Sequence, residues 1–123
     1  MEAFFDQVGH PRLKVPVVGS RASIAVDALV DTGFDGDLCL PTLLAIQLGL
    51  ELRDVIWVEL ADGTLKNELV FAGVAVWEGE DREVMITLTE SEEALLGTGL
   101  LADSVLEMNF ARRQIVVKEA DAG

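Results

Sequence analysis

The chain has 123 residues, half of them hydrophobic, and its 22 acidic against 9 basic residues give a net charge of −13. This length predicts one globular domain spanning residues 1–123, too small for the two lobes of a bilobal enzyme. The negative charge argues against nucleic acid and anionic membranes as partners. The chain begins without the basic head and long apolar run of a secretory signal, and the single Cys39 can form no internal disulfide. Both observations favour a cytoplasmic protein.

The first third of the chain predicts a β-hairpin and one short helix. "RLKVPVV" and "ASIAVDALV" are rich in β-branched residues and flank Gly19-Ser20, a pattern typical of a hairpin. "DLCL" predicts a short strand. "TLLAIQLGL" then predicts a helix, with Pro41 at its first position and Gly49 at its end.

The rest of the chain predicts long hairpins. "DVIWVELA" and "TLKNELVFAGVAVWE" flank Asp62-Gly63, and a turn at residues 78–81 leads into "REVMITLT". "ESEE" follows as a solvated loop, and "LEMNF" and "RQIVVKE" form a last hairpin around Ala111-Arg112. Trp57 and Trp77 are expected to pack in the core or at an interface. The predicted class is mostly β with about two helical turns.

An internal repeat is the most informative feature of the sequence. "ALVDTGFDGDLCL" from Ala28 aligns without a gap with "ALLGTGLLADSVL" from Ala94, and both read as an apolar strand that ends in a Thr-Gly turn. Such short matches also arise by chance, so a purely structural role stays open. However, Gly97 stands where Asp31 stands in the first copy, which indicates that the turn does not need a carboxylate for its backbone shape. An acid that the fold does not require favours a chemical role for Asp31.

These segments resemble the retroviral-type aspartic proteases and their cellular and bacterial relatives. "ALVDTG" matches the catalytic Asp-Thr-Gly signature after two hydrophobic residues, "ALLGTGLL" matches the second element of the family, and "VELADGTLKNELV" lies where the family has its flap hairpin. The resemblance extends from Leu13 to Lys118. It implies a mostly β, retropepsin-like fold, with a closed barrel-like lobe, one or two short helices and a two-fold homodimer. It also implies an aspartic endopeptidase.

The chemistry of such an enzyme requires two carboxylates about 3 Å apart that share one proton. The ionised carboxylate takes a proton from a water molecule, and the protonated one polarises the scissile carbonyl. Only Asp31 fits the signature, because "ADGT" at Asp62 has the wrong order and "ADSV" at Asp103 lacks the glycine. We therefore expect the second carboxylate to be Asp31 of another copy, across a two-fold axis.

The resemblance implies roles for the residues that follow Asp31. Thr32 would hydrogen-bond across the dimer to the partner loop, and Gly33 would let the backbone approach the substrate. Phe34, Asp35 and Gly36 would line a groove that binds an extended peptide by strand addition.

Two further groups complete the implied site. The flap tip would close over the substrate and exclude water; it consists of Ala61, Asp62 and Gly63. Apolar walls or a floor would come from leucines that fit ordinary core packing equally well; these are Leu29, Leu95 and Leu96.

Other candidate sites are weaker. His10 has no Cys, His or Ser companion for a metal site or a triad and is expected at the surface. Cys39 lies between two leucines and is expected to be a small core residue. Asp31, Asp35 and Asp37 lack the full ligand series and closing glutamate of a calcium loop. No metal or cofactor is therefore expected.

Three functions remain compatible with the sequence. The favoured one is a dimeric aspartic endopeptidase that hydrolyses peptides or unfolded proteins. The second is a non-catalytic dimer of the same fold that binds a peptide or protein in its groove, because the Asp62-Gly63 tip is acidic where the viral flap is rich in glycine. The third is a processing or dimerisation module.

Overall fold

The computed structural model describes residues 1–120, which form ten β-strands and two short helices. In chain order these elements are β1 (Glu2–Phe5), β2 (Pro11–Val18), β3 (Ser23–Val30), β4 (Leu38–Pro41), α1 (Thr42–Leu48), β5 (Glu51–Glu59), β6 (Leu65–Trp77), β7 (Glu80–Thr89), β8 (Ala94–Leu96), α2 (Thr98–Leu101), β9 (Ser104–Asn109) and β10 (Gln114–Glu119). The chain is thus mostly β, which confirms the predicted class.

Six of the strands close into a barrel. They follow the order β2, β3, β8, β4, β7 and β6, and the pairing of Val17 with Ala75 joins β6 back to β2. Outside this barrel, β1 pairs with β2 and β5 pairs with β6. β9 and β10 form a separate hairpin, which contacts β1 through the rings of Phe5 and Phe110, 5.0 Å apart between centroids.

The barrel interior contains the main hydrophobic core. On β2, Leu13, Val15 and Val17 are fully buried and alternate with more exposed residues, as a strand with one face on the core requires. Val30 and Leu96, the last residues of β3 and β8, belong to the same core cluster. The two chain segments that leave these strands therefore start from fixed positions.

The predicted hairpins are confirmed. β2 pairs with β3, β5 with β6, and β9 with β10, each antiparallel. The turn between β6 and β7 is two residues long, since Trp77 pairs with Glu80 across it. Glu78 and Gly79 both have positive φ, 51° and 80°, as in the type I′ turns that suit the twist of a hairpin.

The predicted helix forms as α1, with a correction at its start. Pro41 is not the first helical residue: its backbone is extended (φ −54°, ψ 139°), and it ends β4, where it pairs with Thr89. Gly49 ends the helix as predicted. Its φ of 72° is left-handed, and its N–H donates to the carbonyls of Ala45 and Ile46. Within residues 1–120, no helix has the length and apolar character needed to cross a membrane.

Two features differ from the sequence-based expectations. β1 was not predicted, and its alignment along β2 places the start of the chain in the sheet. Trp57 is not a core residue, because 66% of its surface is exposed, whereas Trp77 is buried and donates from Nε1 to Ser104 Oγ at 3.2 Å.

Candidate active site

Asp31 directly follows β3, where β3 runs parallel to β8. Ala28 pairs with Ala94 and Leu29 with Leu95, so the register of the two strands reproduces the gapless sequence repeat. The backbone N–H of Asp31 donates to the carbonyl of Leu96 at 2.9 Å and prolongs the ladder by one bond. Asp31 is therefore held by its own strand, β3, and by the hydrogen bond to Leu96 of β8.

Gly97 occupies the corresponding place after β8, and the structure shows why a side chain is excluded there. Gly97 is buried, and a Cβ atom on it would overlap the carbonyl oxygen of Gly36 and lie 2.5 Å from that of Phe34. A carboxylate at position 97 would displace the loop after Asp31. The two halves of the repeat thus differ in two ways: the first has a carboxylate at Asp31, and the second requires glycine at position 97 for packing.

The segment after Gly97 holds the loop after Asp31 through its backbone. Gly97 N–H donates to the carbonyl of Asp37 at 3.0 Å, Thr98 N–H to that of Phe34 at 2.8 Å, and Gly99 N–H to that of Gly36 at 3.0 Å. Three consecutive donors thus bind three carbonyls of one loop, and this fixes its shape without using the Asp31 side chain.

The Asp31 side chain also takes part in its own turn. Its Oδ1 accepts the N–H of Gly33 at 2.9 Å, and its carbonyl accepts the N–H of Phe34 at 3.1 Å. Aspartate commonly forms such turns because its short side chain reaches the backbone two residues ahead. Within residues 1–120, Asp31 makes no other side-chain hydrogen bond, so Oδ2 is available, and the carboxylate is partly exposed.

The remaining residues of the predicted catalytic turn and groove directly follow Asp31 in the sequence. Thr32, Gly33 and Asp35 are exposed, while Phe34 and Gly36 are partly buried beneath Gly97. The exposed members can contact a ligand. The partly buried members mainly serve the contact with the segment after β8.

Asp37 is a structural residue of the site that the sequence did not identify. Its Oδ2 accepts the N–H of Met85 at 2.9 Å, and its carbonyl accepts that of Gly97. It therefore ties the loop to β7 and to the end of β8. The repeat offered a signal, because Asp37 aligns with Asp103, but it did not show which carboxylate would bond to backbone.

The three leucines predicted as walls or floor differ in exposure. Leu29 and Leu95 pair across β3 and β8 and are partly buried. Leu96 is fully buried in the barrel core, as the core-packing alternative expects.

The segment predicted as the flap forms the hairpin of β5 and β6, with Ala61, Asp62 and Gly63 at its tip. The Oδ1 of Asp62 accepts the N–H of Thr64 at 3.0 Å and its hydroxyl at 2.6 Å. These bonds, with the hydroxyl first, lower the pKa of Asp62, so it is ionised at neutral pH. Gly63 has a φ of 85°. The acidic residue at the tip is thus a turn former.

One face of this hairpin carries exposed apolar side chains together with Glu59 and Asn67. Val55 pairs with Leu69 and Glu59 with Leu65, so their side chains lie on one face together with Trp57. By alternation along β6, Leu65 and Leu69 share this face with Ala75, which points into the barrel core. Val55, Trp57, Leu65 and Leu69 are between 44% and 66% exposed, so this face is largely open to solvent within residues 1–120.

The weaker candidates do not assemble into a second site. His10 is exposed, as expected. Cys39 is partly buried, and burial raises the pKa of its thiol, which disfavours a nucleophilic thiolate. Among residues 1–120, no three His, Cys, Asp or Glu side chains converge as ligands for a metal ion.

Comparison with known proteins gives a fold relationship. No protein-family model and no curated protein sequence matches the chain. Among solved structures, the chain is similar to the EIAV protease in complex with the inhibitor HBY-793, with a TM-score of 0.55 and 16% sequence identity over 80% of this chain and 91% of that protein. The chain therefore has the retropepsin-like fold of a retroviral protease.

Proposed function

We propose that this protein is an aspartic endopeptidase that acts as a homodimer, with one Asp31 contributed by each subunit. The observation that carries the proposal is Asp31 itself. It follows a buried strand pair, its loop is held by the backbone donors of Gly97 to Gly99, and one of its carboxylate oxygens has no partner within residues 1–120. The retropepsin-like fold supports the same conclusion.

The dimer follows from the chemistry. Position 97 leaves no room for a second carboxylate, and the carboxylate of Asp37 already accepts the backbone N–H of Met85. A two-fold axis beside Asp31 supplies an identical carboxylate, and two such groups in contact share one proton because both cannot be ionised. In the dimer Thr32, exposed beside Asp31, would hydrogen-bond to the partner loop.

The proposed reaction is direct attack by water. The ionised carboxylate takes a proton from the water, whose oxygen adds to the scissile carbonyl carbon, while the protonated carboxylate donates to the carbonyl oxygen. Collapse of the tetrahedral intermediate breaks the C–N bond: the nitrogen takes the proton that the first carboxylate had accepted from water, and a hydroxyl of the intermediate returns a proton to the second carboxylate. No cofactor is required by this scheme.

The substrate would be an extended peptide or unfolded protein. The exposed backbone carbonyl of Gly33 and the exposed backbone of Asp35 offer hydrogen-bonding groups to such a chain. The apolar flap face with Val55, Trp57 and Leu69 would cover the peptide and exclude water. Leu29 and Leu95 would border the groove.

A second candidate is a non-catalytic dimer that binds peptides with the same groove. It is favoured by the flap tip, where Asp62 is fixed to Thr64 and does not form a glycine-rich tip. Both candidates require dimerisation, but they differ in cleavage.

Two measurements test the proposal. Sedimentation at micromolar concentration should show a dimer, and a protein that stays monomeric with and without peptide would contradict the mechanism. Incubation with an unstructured protein should yield fragments with the wild type and none with Asp31→Asn. A dimer that binds peptide without cleaving it would support the second candidate.

A further inference from the structure

The side chain of Arg12 joins three separate parts of the fold. From β2, its Nε donates to Asp6 Oδ2 at 2.7 Å, and its two terminal nitrogens donate to Glu93 Oε2 at 3.1 Å and Oε1 at 2.6 Å. Nη1 also lies 3.4 Å from Asp27 Oδ1 on β3. Asp6 lies in the turn between β1 and β2, and Glu93 directly precedes β8.

This network has features that ordinary surface ion pairs lack. Only 16% of the Arg12 side chain is exposed, and the contact with Glu93 is bidentate. Most exposed ion pairs contribute little to stability because water and salt screen them. A guanidinium that binds a carboxylate through two parallel hydrogen bonds, within a larger network, holds a defined geometry. The hydrogen bonds from Arg12 and the turn amides hold the pKa of Asp6 at about 2.

Glu93 lies four residues before Gly97, at the start of the strand that holds the catalytic loop. β8 has only three residues, and its other end supplies the Leu96 carbonyl to Asp31 and the Gly97 N–H to Asp37. The exposed loop before it is fixed by short turns, in which Ser91 N–H donates to Thr89 Oγ1 and Glu93 N–H to Ser91 Oγ. The carboxylate of Glu93 is the link from this loop to β2.

We propose that Arg12 is a positioning residue for the catalytic loop, acting through Glu93 and β8. This inference rests on the proposed peptidase function. Arg12 does not touch the substrate. By holding Glu93 against the β2–β3 pair, it prevents β8 from sliding along β3, and so keeps Leu96 and Gly97 in register with Asp31. A displacement of even 1 Å at reacting groups can cost up to about a hundredfold in rate.

The test compares Glu93→Gln with Glu2→Gln. Both substitutions remove one carboxylate from an ion pair that reaches β2, but the Glu2 pair with Lys14 is exposed, 3.8 Å long and remote from β8. We expect Glu93→Gln to lower kcat about tenfold with KM changed less than about twofold. Glu2→Gln should leave both unchanged. Because Arg12 acts through Glu93, Arg12→Met combined with Glu93→Gln should be no slower than the slower single variant.

Amide hydrogen exchange gives a readout that does not need activity. In Glu93→Gln the amides of Asp31 and Gly97 should exchange severalfold faster than in the wild type, while that of Val17 in the barrel core keeps its rate. Unchanged exchange at Asp31 and Gly97, or additive losses of kcat in the double variant, would overturn the inference. Faster local exchange in a protein whose wild type cleaves nothing would contradict the proposed peptidase and support the link from Glu93 to the loop.

Discussion

Asp31 and Gly97 follow the ends of two adjacent parallel strands, and the residue before Gly97 accepts the N–H of Asp31 at 2.9 Å. The two positions are equivalent in the repeat, but they differ in the side chain that each can hold. Position 97 cannot hold any side chain because the loop of the first copy packs onto it, whereas Asp31 carries a carboxylate whose Oδ2 has no hydrogen-bond partner within residues 1–120. The second half of the repeat therefore holds the loop after Asp31, and in the proposed peptidase the first half would supply the catalytic carboxylate.

Replacement of Gly97 should damage the fold as well as the site. In Gly97→Ala the new methyl group meets the carbonyls of Gly36 and Phe34, which belong to backbone and cannot rotate away. We expect a loss of about 1–3 kcal/mol in the free energy of unfolding, measured by urea titration, together with reduced cleavage. A variant within about 0.5 kcal/mol of wild type would show that the contact is not tight in solution.

Two substitutions of Asp31 distinguish its proposed catalytic role from its structural role in the turn. Asp31→Asn keeps an acceptor for the Gly33 N–H and, because both subunits carry the substitution, removes both carboxylates of the repelling pair. Its free energy of unfolding at neutral pH should therefore equal or exceed that of the wild type. Asp31→Ala loses the acceptor and should be less stable by about 1–3 kcal/mol. Neither variant should cleave.

The contrary result for this pair is a large loss of stability in Asp31→Asn. If thermal or urea unfolding shows that Asp31→Asn is as unstable as Asp31→Ala, the turn requires the ionised carboxylate for its structure. The peptidase assignment would then lose its main support.

Much of the architecture was predictable because it depends on local pattern. The hairpins follow from β-rich runs separated by Gly and Asp turns. The register of β3 with β8 matches the alignment of the repeat around Ala28 and Ala94, but the repeat did not predict that these two strands pair. Asp31 was predicted to have a chemical role because the second copy of the repeat has glycine, Gly97, in place of this aspartate.

The remainder depends on long-range contacts that a linear pattern does not display. Pro41 has a φ compatible with a first helical turn, but its pairing with Thr89 keeps it in a strand. The tie from Asp37 to Met85 spans 48 residues and that from Arg12 to Glu93 spans 81, and nothing local marks either pair. Trp57 was expected in the core or at an interface because tryptophan is usually covered, and its 66% exposure excludes the core.

Trp57 provides a test of the flap. Since 66% of its surface is exposed, Trp57→Ala should change the free energy of unfolding by no more than about 0.5 kcal/mol. If its face covers the peptide, KM should rise severalfold. Val116→Ala, at a 48% exposed apolar residue of β10, is the control and should leave KM unchanged. Equal KM values for wild type and Trp57→Ala would remove the flap from the proposed binding surface.

The stability of the protein in acid should reflect Asp6. Its pKa is lowered from 3.8 to about 2 in the folded state, chiefly by the hydrogen bond from Arg12. A depressed pKa stabilises the fold at pH values above the unfolded-state value, and this contribution disappears as the pH falls from 3.8 to about 2.

We therefore expect Asp6→Asn to unfold more easily than wild type at neutral pH, with a difference that shrinks through this window. Asp81→Asn, at an exposed carboxylate of β7, is the control and should show a smaller difference. Melting curves measured from pH 7 downward test this, with light scattering to detect precipitation near the sequence pI of 4.2. A difference between wild type and Asp6→Asn that stays constant to pH 2 would contradict the assignment of the Asp6 pKa.

The most direct test of the central claim is the activity of a mixed dimer that carries a single Asp31. Wild-type and Asp31→Asn chains with different affinity tags are coexpressed, and the dimer that carries both tags is purified beside a wild-type dimer made with the same two tags. The two-carboxylate mechanism predicts that the mixed dimer cleaves at least about a hundredfold more slowly, because one aspartate cannot both activate water and polarise the carbonyl. A mixed dimer with half the wild-type activity would show that each Asp31 works alone, and would contradict the account.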